Sequence, residues 1–309
     1  MSGTAYIPRG GEQVYSPPFV AEGVQFFGFV VAADKAKLQD ICDRYLNGPS
    51  GTGDFAPLLP YVMFVFNKLA RMYAKDPPDQ DRGWYTEQEG AVWMPVFDKK
   101  RLKPLWYHPY MVVDSSYAMA MGREIYGFPK EIGWFETPDG PEPPESMHVE
   151  TVVVKTLDPA CQAVRGQLFE ARICDGGRSS SVPPYEQFGD LGELAKAMGD
   201  RLGFVAHLGI ELFQNVITAP IPMVFLKQFR DAVDPSRACF QSVQEATTEM
   251  TRLHNLRVYL HSYEIAFEDW ASHPLRADLG LDAGAAPVKF AFWALFDFEI
   301  GACTEISRA

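Results

Sequence analysis

Cysteine, positive charge and long apolar runs are all scarce in this sequence, and each shortage removes a class of function. The five cysteines, Cys42, Cys161, Cys174, Cys239 and Cys303, lie far apart, are odd in number and form no CxxC pair. That pattern suits reduced thiols in a cytoplasmic protein and not a disulfide framework. Lys and Arg number 28 against 40 Asp and Glu, a formal net charge of -12. An acidic surface repels phosphate backbones, so nucleic acid is not an expected partner. No apolar run approaches about 18 residues, so no membrane span is expected. The stretch from Met1 to Pro18 is polar and rich in Gly and Pro, without the apolar centre of a signal peptide. The six histidines are scattered. His254 and His261 fall on one expected strand at odd separation, which points them to opposite faces, and no metal site is expected. No phosphate loop or Gly-rich dinucleotide turn occurs, so no cofactor is expected.

What is present is an ordinary globular composition, 47% hydrophobic and 22% charged over 309 residues. The length allows one or two domains. With no repeat, no low-complexity segment and no composition shift, a single domain over residues 1–309 is expected. Val24 to Ala32 (VQFFGFVVA) is a continuous apolar run, the pattern of a strand buried on both faces. Asp34 then opens a helix in which Leu38, Ile41, Cys42 and Leu46 keep helical spacing, and Asn47-Gly48-Pro49 is expected to stop it. Tyr61 to Phe66 reads as a strand, Lys75 to Gly83 as a polar loop, and Trp84 to Phe97 as strands around a turn at Gly90. His148 to Lys155 and Gln167 to Cys174 alternate like a hairpin. Leu191 to Phe204 is a helix candidate. Pro222 to Arg230, Ala238 to Ala246, Leu256 to Phe267 and Val288 to Phe298 complete a strand-rich second half. The expected class is α+β, mainly antiparallel β: a sheet curling toward a barrel or cone, with a few peripheral helices.

The segment Gly122 to Lys130 (GREIYGFPK) is the most informative for chemistry. It sets two cations and a carboxylate among Ile125, Tyr126 and Phe128. Pro129 fixes its own φ and biases Phe128 toward an extended conformation, so Lys130 leaves a stiff, aromatic-flanked backbone. One reading is bland: a lysine after a proline is usually solvated, and Arg123 with Glu124 forms a surface pair worth at most about 1 kcal/mol. The other is a desolvated amine. Moving an ammonium out of water disfavours its charge and draws lysine titration down from about 10.4 toward neutrality. A neutral lysine condenses with ketones to give an imine.

GREIYGFPK resembles the catalytic segment of the acetoacetate decarboxylase superfamily, in which Gly-Arg-Glu precedes a Pro-Lys whose lysine forms the Schiff base. That decarboxylase is itself a standing example of a lysine activated in this way. The likeness extends to Val24–Leu46, to Trp84-Tyr85-Thr86-Glu87 and to Pro222–Ala246, with extra length around residues 48–60 and 185–215. By this resemblance Lys130 is the imine-forming lysine and Glu87 a pocket carboxylate that moves protons. Arg123 and Glu124 either hold the substrate carboxylate or build the site, and Tyr126, Phe128, Phe26 and Phe64 line an apolar pocket. Three departures bear on the substrate. Val24 stands where the decarboxylase has an arginine. No acid occurs near Val65, where the resemblance places a second pocket glutamate. Glu131, a carboxylate, follows the nucleophile in place of a lysine, so it must point away or be outweighed by desolvation.

The resemblance implies a Schiff-base lyase acting on a small keto acid, with decarboxylation of a 3-oxo acid first. Aldol condensation and dehydration on a pyruvate-like 2-oxo acid through the same lysine is the alternative. A non-catalytic container for an apolar ligand, lined by Phe26, Phe29, Phe64, Tyr126 and Phe128, is a third reading, from the aromatic side chains themselves. Homo-oligomers are the family habit. The insertion from Pro184 to Asn215 is expected to lid the pocket or form a subunit contact.

Overall fold

A computed structural model describes residues 5–9, 13–174, 221–282 and 284–308. The helix expected over Leu191–Phe204 and the insertion over Pro184–Asn215 lie outside these residues. Thirteen strands are described: β1 (Phe19–Ala32), β2 (Phe55–Pro57), β3 (Tyr61–Ala74), β4 (Tyr85–Asp98), β5 (Lys103–Val113), β6 (Lys130–Glu136), β7 (Ser146–Val153), β8 (Val164–Ile173), β9 (Ile221–Arg230), β10 (Ala238–Tyr259), β11 (Tyr263–Ala266), β12 (Ala285–Ile300) and β13 (Thr304–Arg308). Helices are short: α1 (Lys35–Cys42), α2 (Gly48–Ser50), α3 (Ser116–Met121) and α4 (Leu275–Leu279). No helix among the described residues is long and apolar enough to cross a membrane.

The sheet is mixed and curls back on itself. β1 pairs antiparallel with both β3 and β12, and β3 continues through β4 to β5. β5 meets β9, β9 pairs with β10, and β10 returns to β12. These contacts close a ring of hydrogen-bonded strands. A second circuit leaves β5 through β6, β7, β8 and β11 and also returns to β12. Strands β12, β1, β3, β4 and β5 form the wall shared by the two circuits. Successive side chains on a strand point to opposite faces, so this wall feeds two cores. Val24, Phe26 and Val30 of β1 enter the first core, while Phe27, Phe29 and Val31 enter the second. This is why Val24–Ala32 is apolar at every position. Gly28 is required by a close approach, since a Cβ there would lie 2.5 Å from the Phe292 ring.

Several local expectations are revised. Gly90 makes no turn: β4 runs unbroken from Tyr85 to Asp98, and Gly90 lies under Val149 and Phe135 of the second circuit. Asp34 does cap α1, its Oδ1 accepting from the backbone N of Ala36 at 2.7 Å and of Lys37 at 3.2 Å. The chain stays helical past Asn47, through a π-type turn at Asp43–Asn47 and then α2, because Pro49 suits a first helical turn. Gly51, with φ of 66°, ends it. The run Leu256–Phe267 divides into the end of β10 and the separate β11.

Candidate active site

The first core encloses a cavity of about 100 Å³. An apolar cavity of roughly 150 Å³ takes benzene, so this space suits a molecule of about that size or slightly smaller. Among the described residues the lining is mainly apolar and contains one lysine, Lys130, and two carboxylates, Glu87 and Glu89.

Lys130 is the first residue of β6 and pairs in parallel with Met111 of β5. The chain reaches it by a defined path. Ser115 caps α3 through its hydroxyl, which accepts from Ala118 N at 3.4 Å. The helix widens into a π-type turn over Gly122–Tyr126 and stops at Gly127, whose φ is 96°. A Cβ on Gly127 would lie 2.6 Å from Lys227 Cα, so only glycine permits this crossing of β9. Phe128 and Pro129 then run extended into β6. Gly122 is the floor under the lysine: a Cβ there would be 2.5 Å from Lys130 Cδ and 2.9 Å from Cε.

The amine lies inside, with Lys130 only 6% exposed and Glu87 2% exposed. Nζ donates to Glu87 Oε1 at 2.7 Å and lies 3.8 Å from Glu89 Oε2. The Phe128 ring centroid is 5.4 Å from Nζ. Glu89 also accepts from Asn67 Nδ2 at 3.0 Å. Burial pushes the Glu89 carboxyl up to about 7; the charge of Glu87 adds to this, and Lys130 opposes it. Burial pulls His108 down to about 3, helped by the nearby Lys130 charge, so its imidazole is neutral. The arrangement therefore sets beside the amine a buried carboxyl, Glu89, that can hold or release a proton near neutral pH.

The residues expected from sequence divide clearly. Lys130, Glu87, Phe26, Tyr126 and Phe128 are brought together on the cavity. Phe64 is not: it has the opposite parity on β3 from Asn67 and packs in the second core, with its ring 5.1 Å from Phe169. Arg123 is exposed, and its Nη1 donates to the Lys130 carbonyl at 3.1 Å, so it holds the backbone at Lys130 and does not line the cavity. Glu124 is half-buried beside Lys227, whose charge it supports, and does not line the cavity. Val24 lines the cavity where the decarboxylase resemblance calls for an arginine. Glu131 points outward to His273, with Oε2 2.9 Å from Nε2, so this carboxylate does not act on the amine from within the site.

Glu89, Asn67, Trp93 and His108 also face the cavity and were not anticipated. A signal for Glu89 existed: Glu87-x-Glu89 has the period of a strand and puts both acids on one face. Glu89 supplies from β4 the second acid that β3 lacks at Val65. His108 had no such signal, because a bulge sets its direction. Among the described residues no group of three or more His, Cys, Asp and Glu side chains is arranged to hold a metal.

The acetoacetate decarboxylase family model matches residues 51–151, a third of the chain that includes Glu87, Glu89, His108 and Lys130. No curated protein matches the chain in sequence. Solved structures share the fold at low identity. The acetoacetate decarboxylase of Legionella pneumophila is 13% identical, with a TM-score of 0.62, over 100% of this chain and 93% of that one. An acetoacetate decarboxylase-like enzyme from Sphingomonas wittichii RW1 is 11% identical, with a TM-score of 0.61, over 100% of both chains. The enduracididine biosynthesis enzyme MppR, complexed with the condensation product of pyruvate and imidazole 4-carboxaldehyde, is 12% identical with a TM-score of 0.53, over 96% of this chain and 91% of that one. Residues 51–151 thus match the acetoacetate decarboxylase family in sequence, and the chain as a whole shares the fold of solved acetoacetate decarboxylase and acetoacetate decarboxylase-like structures.

Proposed function

We propose that this protein is a lyase that decarboxylates a small 3-oxo acid through a Schiff base on Lys130. The observation that supports this most is a buried amine, hydrogen-bonded to Glu87 in an otherwise apolar cavity. The amine gives its proton to the carboxylates, and Nζ attacks the ketone carbon. The carbinolamine loses water, with the leaving oxygen protonated from Glu87 or Glu89. The resulting iminium lies two bonds from the substrate carboxylate. The carbon–carboxylate bond breaks, its electron pair flows to nitrogen, and carbon dioxide leaves. The enamine carbon takes a proton, water adds to the C=N bond, and the ketone and free Lys130 are released. Glu89, whose carboxyl is held near 7, suits both proton delivery and proton acceptance at neutral pH.

The alternative, aldol condensation and dehydration on a 2-oxo acid, uses the same imine and has a fold relative in MppR bound to a pyruvate condensation product. One feature favours decarboxylation. Among the described residues no arginine and no second lysine lines the cavity. A 2-oxo acid keeps its carboxylate throughout the reaction, whereas a 3-oxo acid loses it. A carboxylate poorly solvated in an apolar site is relieved as its charge disperses. Incubation with acetoacetate, followed by measurement of carbon dioxide and acetone, tests the reading. Release of both, abolished in Lys130→Ala, is the expected result. Pyruvate consumption with an aldehyde, without carbon dioxide release from any 3-oxo acid, would establish the alternative.

A further inference from the structure

Trp93 and His108 are buried polar side chains on the cavity wall that the reaction above leaves unused. Trp93 is 8% exposed and His108 is 2% exposed. Among the described residues neither the indole Nε1 of Trp93 nor either ring nitrogen of His108 has a hydrogen-bond partner. Their rings meet edge to face, with centroids 4.6 Å apart. A buried polar atom without a partner costs free energy, which a bound oxygen recovers.

Their placement is built into the sheet. Val92 pairs with Tyr110, and Met94 pairs with Tyr107, so Trp93 alone faces both His108 and Pro109. This is a β-bulge, and Pro109, with no N–H, suits its unpaired position. The extra residue reverses the facing of β5. Trp106 and His108 point into the first core before it, and Met111 and Val113 after it. The same device therefore turns His108 inward and sets Met111 beside Lys130.

We propose that Trp93 Nε1–H and the N–H of a neutral His108 bind the carboxylate of the keto acid whose carbonyl Lys130 attacks. This rests on the Schiff-base reading above and adds the polar subsite of its substrate. Two neighbouring donors match the two oxygens of one carboxylate. His108 and Lys130 flank one aromatic ring: Phe128 lies 5.3 Å from the His108 ring centroid and 5.4 Å from Nζ. The Lys130 charge also acts on the His108 imidazole, so the two groups lie near each other on one cavity. Glu87 and Glu89 repel a carboxylate at their end of β4, Trp93 lies further along the same face of that strand, and Val24 offers no cation. Neutral donors orient an anion without forming an ion pair, so little binding is lost when the charge departs with carbon dioxide.

The test compares ligands that differ only in the carboxylate. Borohydride trapping on Lys130 is titrated with acetoacetate and with acetone, in the native protein and in His108→Phe and Trp93→Phe. The half-saturating acetoacetate concentration should rise about tenfold or more in each variant, the loss expected for a hydrogen bond to a charged group. For acetone it should change less than about twofold. His108→Gln, which restores an N–H, should recover much of the loss and serves also if the phenylalanine variant folds poorly. Equal changes for the two ligands, or none for acetoacetate, overturn the assignment while leaving the Schiff base intact. Absence of trapping by any keto acid in the native protein overturns both.

Discussion

Replacing Glu89 by Gln should remove a specific loss of stability at rising pH. An ordinary glutamate has a value of 4.5, whereas burial holds Glu89 up to about 7. Between these pH values the unfolded chain has released this proton and the folded chain still holds it. Raising the pH therefore favours unfolding: this contribution to stability is fully present below 4.5 and is lost as the pH passes through 7. The separation of the two values corresponds to stabilisation on the order of 3 kcal/mol. Glu89→Gln keeps an acceptor for Asn67 and leaves Glu87 to pair with Lys130. Urea unfolding from pH 4.5 to 8 should show the variant gaining on the native protein by about that amount across the range. His108, pulled down to about 3, gives the opposite slope between about 3 and 6.5, but it is present in both proteins and cancels in the difference. Parallel stability curves would refute the reasoning, because Glu89 would then titrate alike in the folded and unfolded chains.

Other positions give independent outcomes. Gly122→Ala places a methyl 2.5 Å from Lys130 Cδ and displaces the amine from Glu87; trapping should slow about 100-fold while the circular dichroism spectrum is kept. Gly28→Ala drives a methyl into the Phe292 ring in the middle of β1 and should cost about 1–3 kcal/mol in urea unfolding. Cys42 is fully buried and its thiol is pushed up to about 12, so it should resist a thiol reagent in the native protein that labels exposed Cys239, and react on unfolding.

The parts of the fold written in local pattern were legible. Strand β1, the Asp34-capped helix and the β7–β8 hairpin follow directly from alternation, capping and turn residues. The GREIYGFPK segment pointed to Lys130, which the structure buries on the cavity, because proline stiffness and flanking aromatics are local facts. What escaped depends on sheet parity set elsewhere. Phe64 and Asn67 lie three residues apart on β3 and so enter different cores. Gly90 looks like a turn residue, but it serves the close approach of Val149 from β7. His108 faces the cavity only because the bulge at Trp93 breaks the alternation of β5. The resemblance put one carboxylate, Glu87, in the pocket with the lysine; Glu89 shares that space as well.

The most direct test of the account is to incubate the protein with acetoacetate, reduce with borohydride, and map the modified peptide by mass spectrometry. The account predicts a single isopropyl adduct on Lys130, absent from Lys130→Ala. An unmodified Lys130, or an equal adduct on exposed lysines, would contradict it.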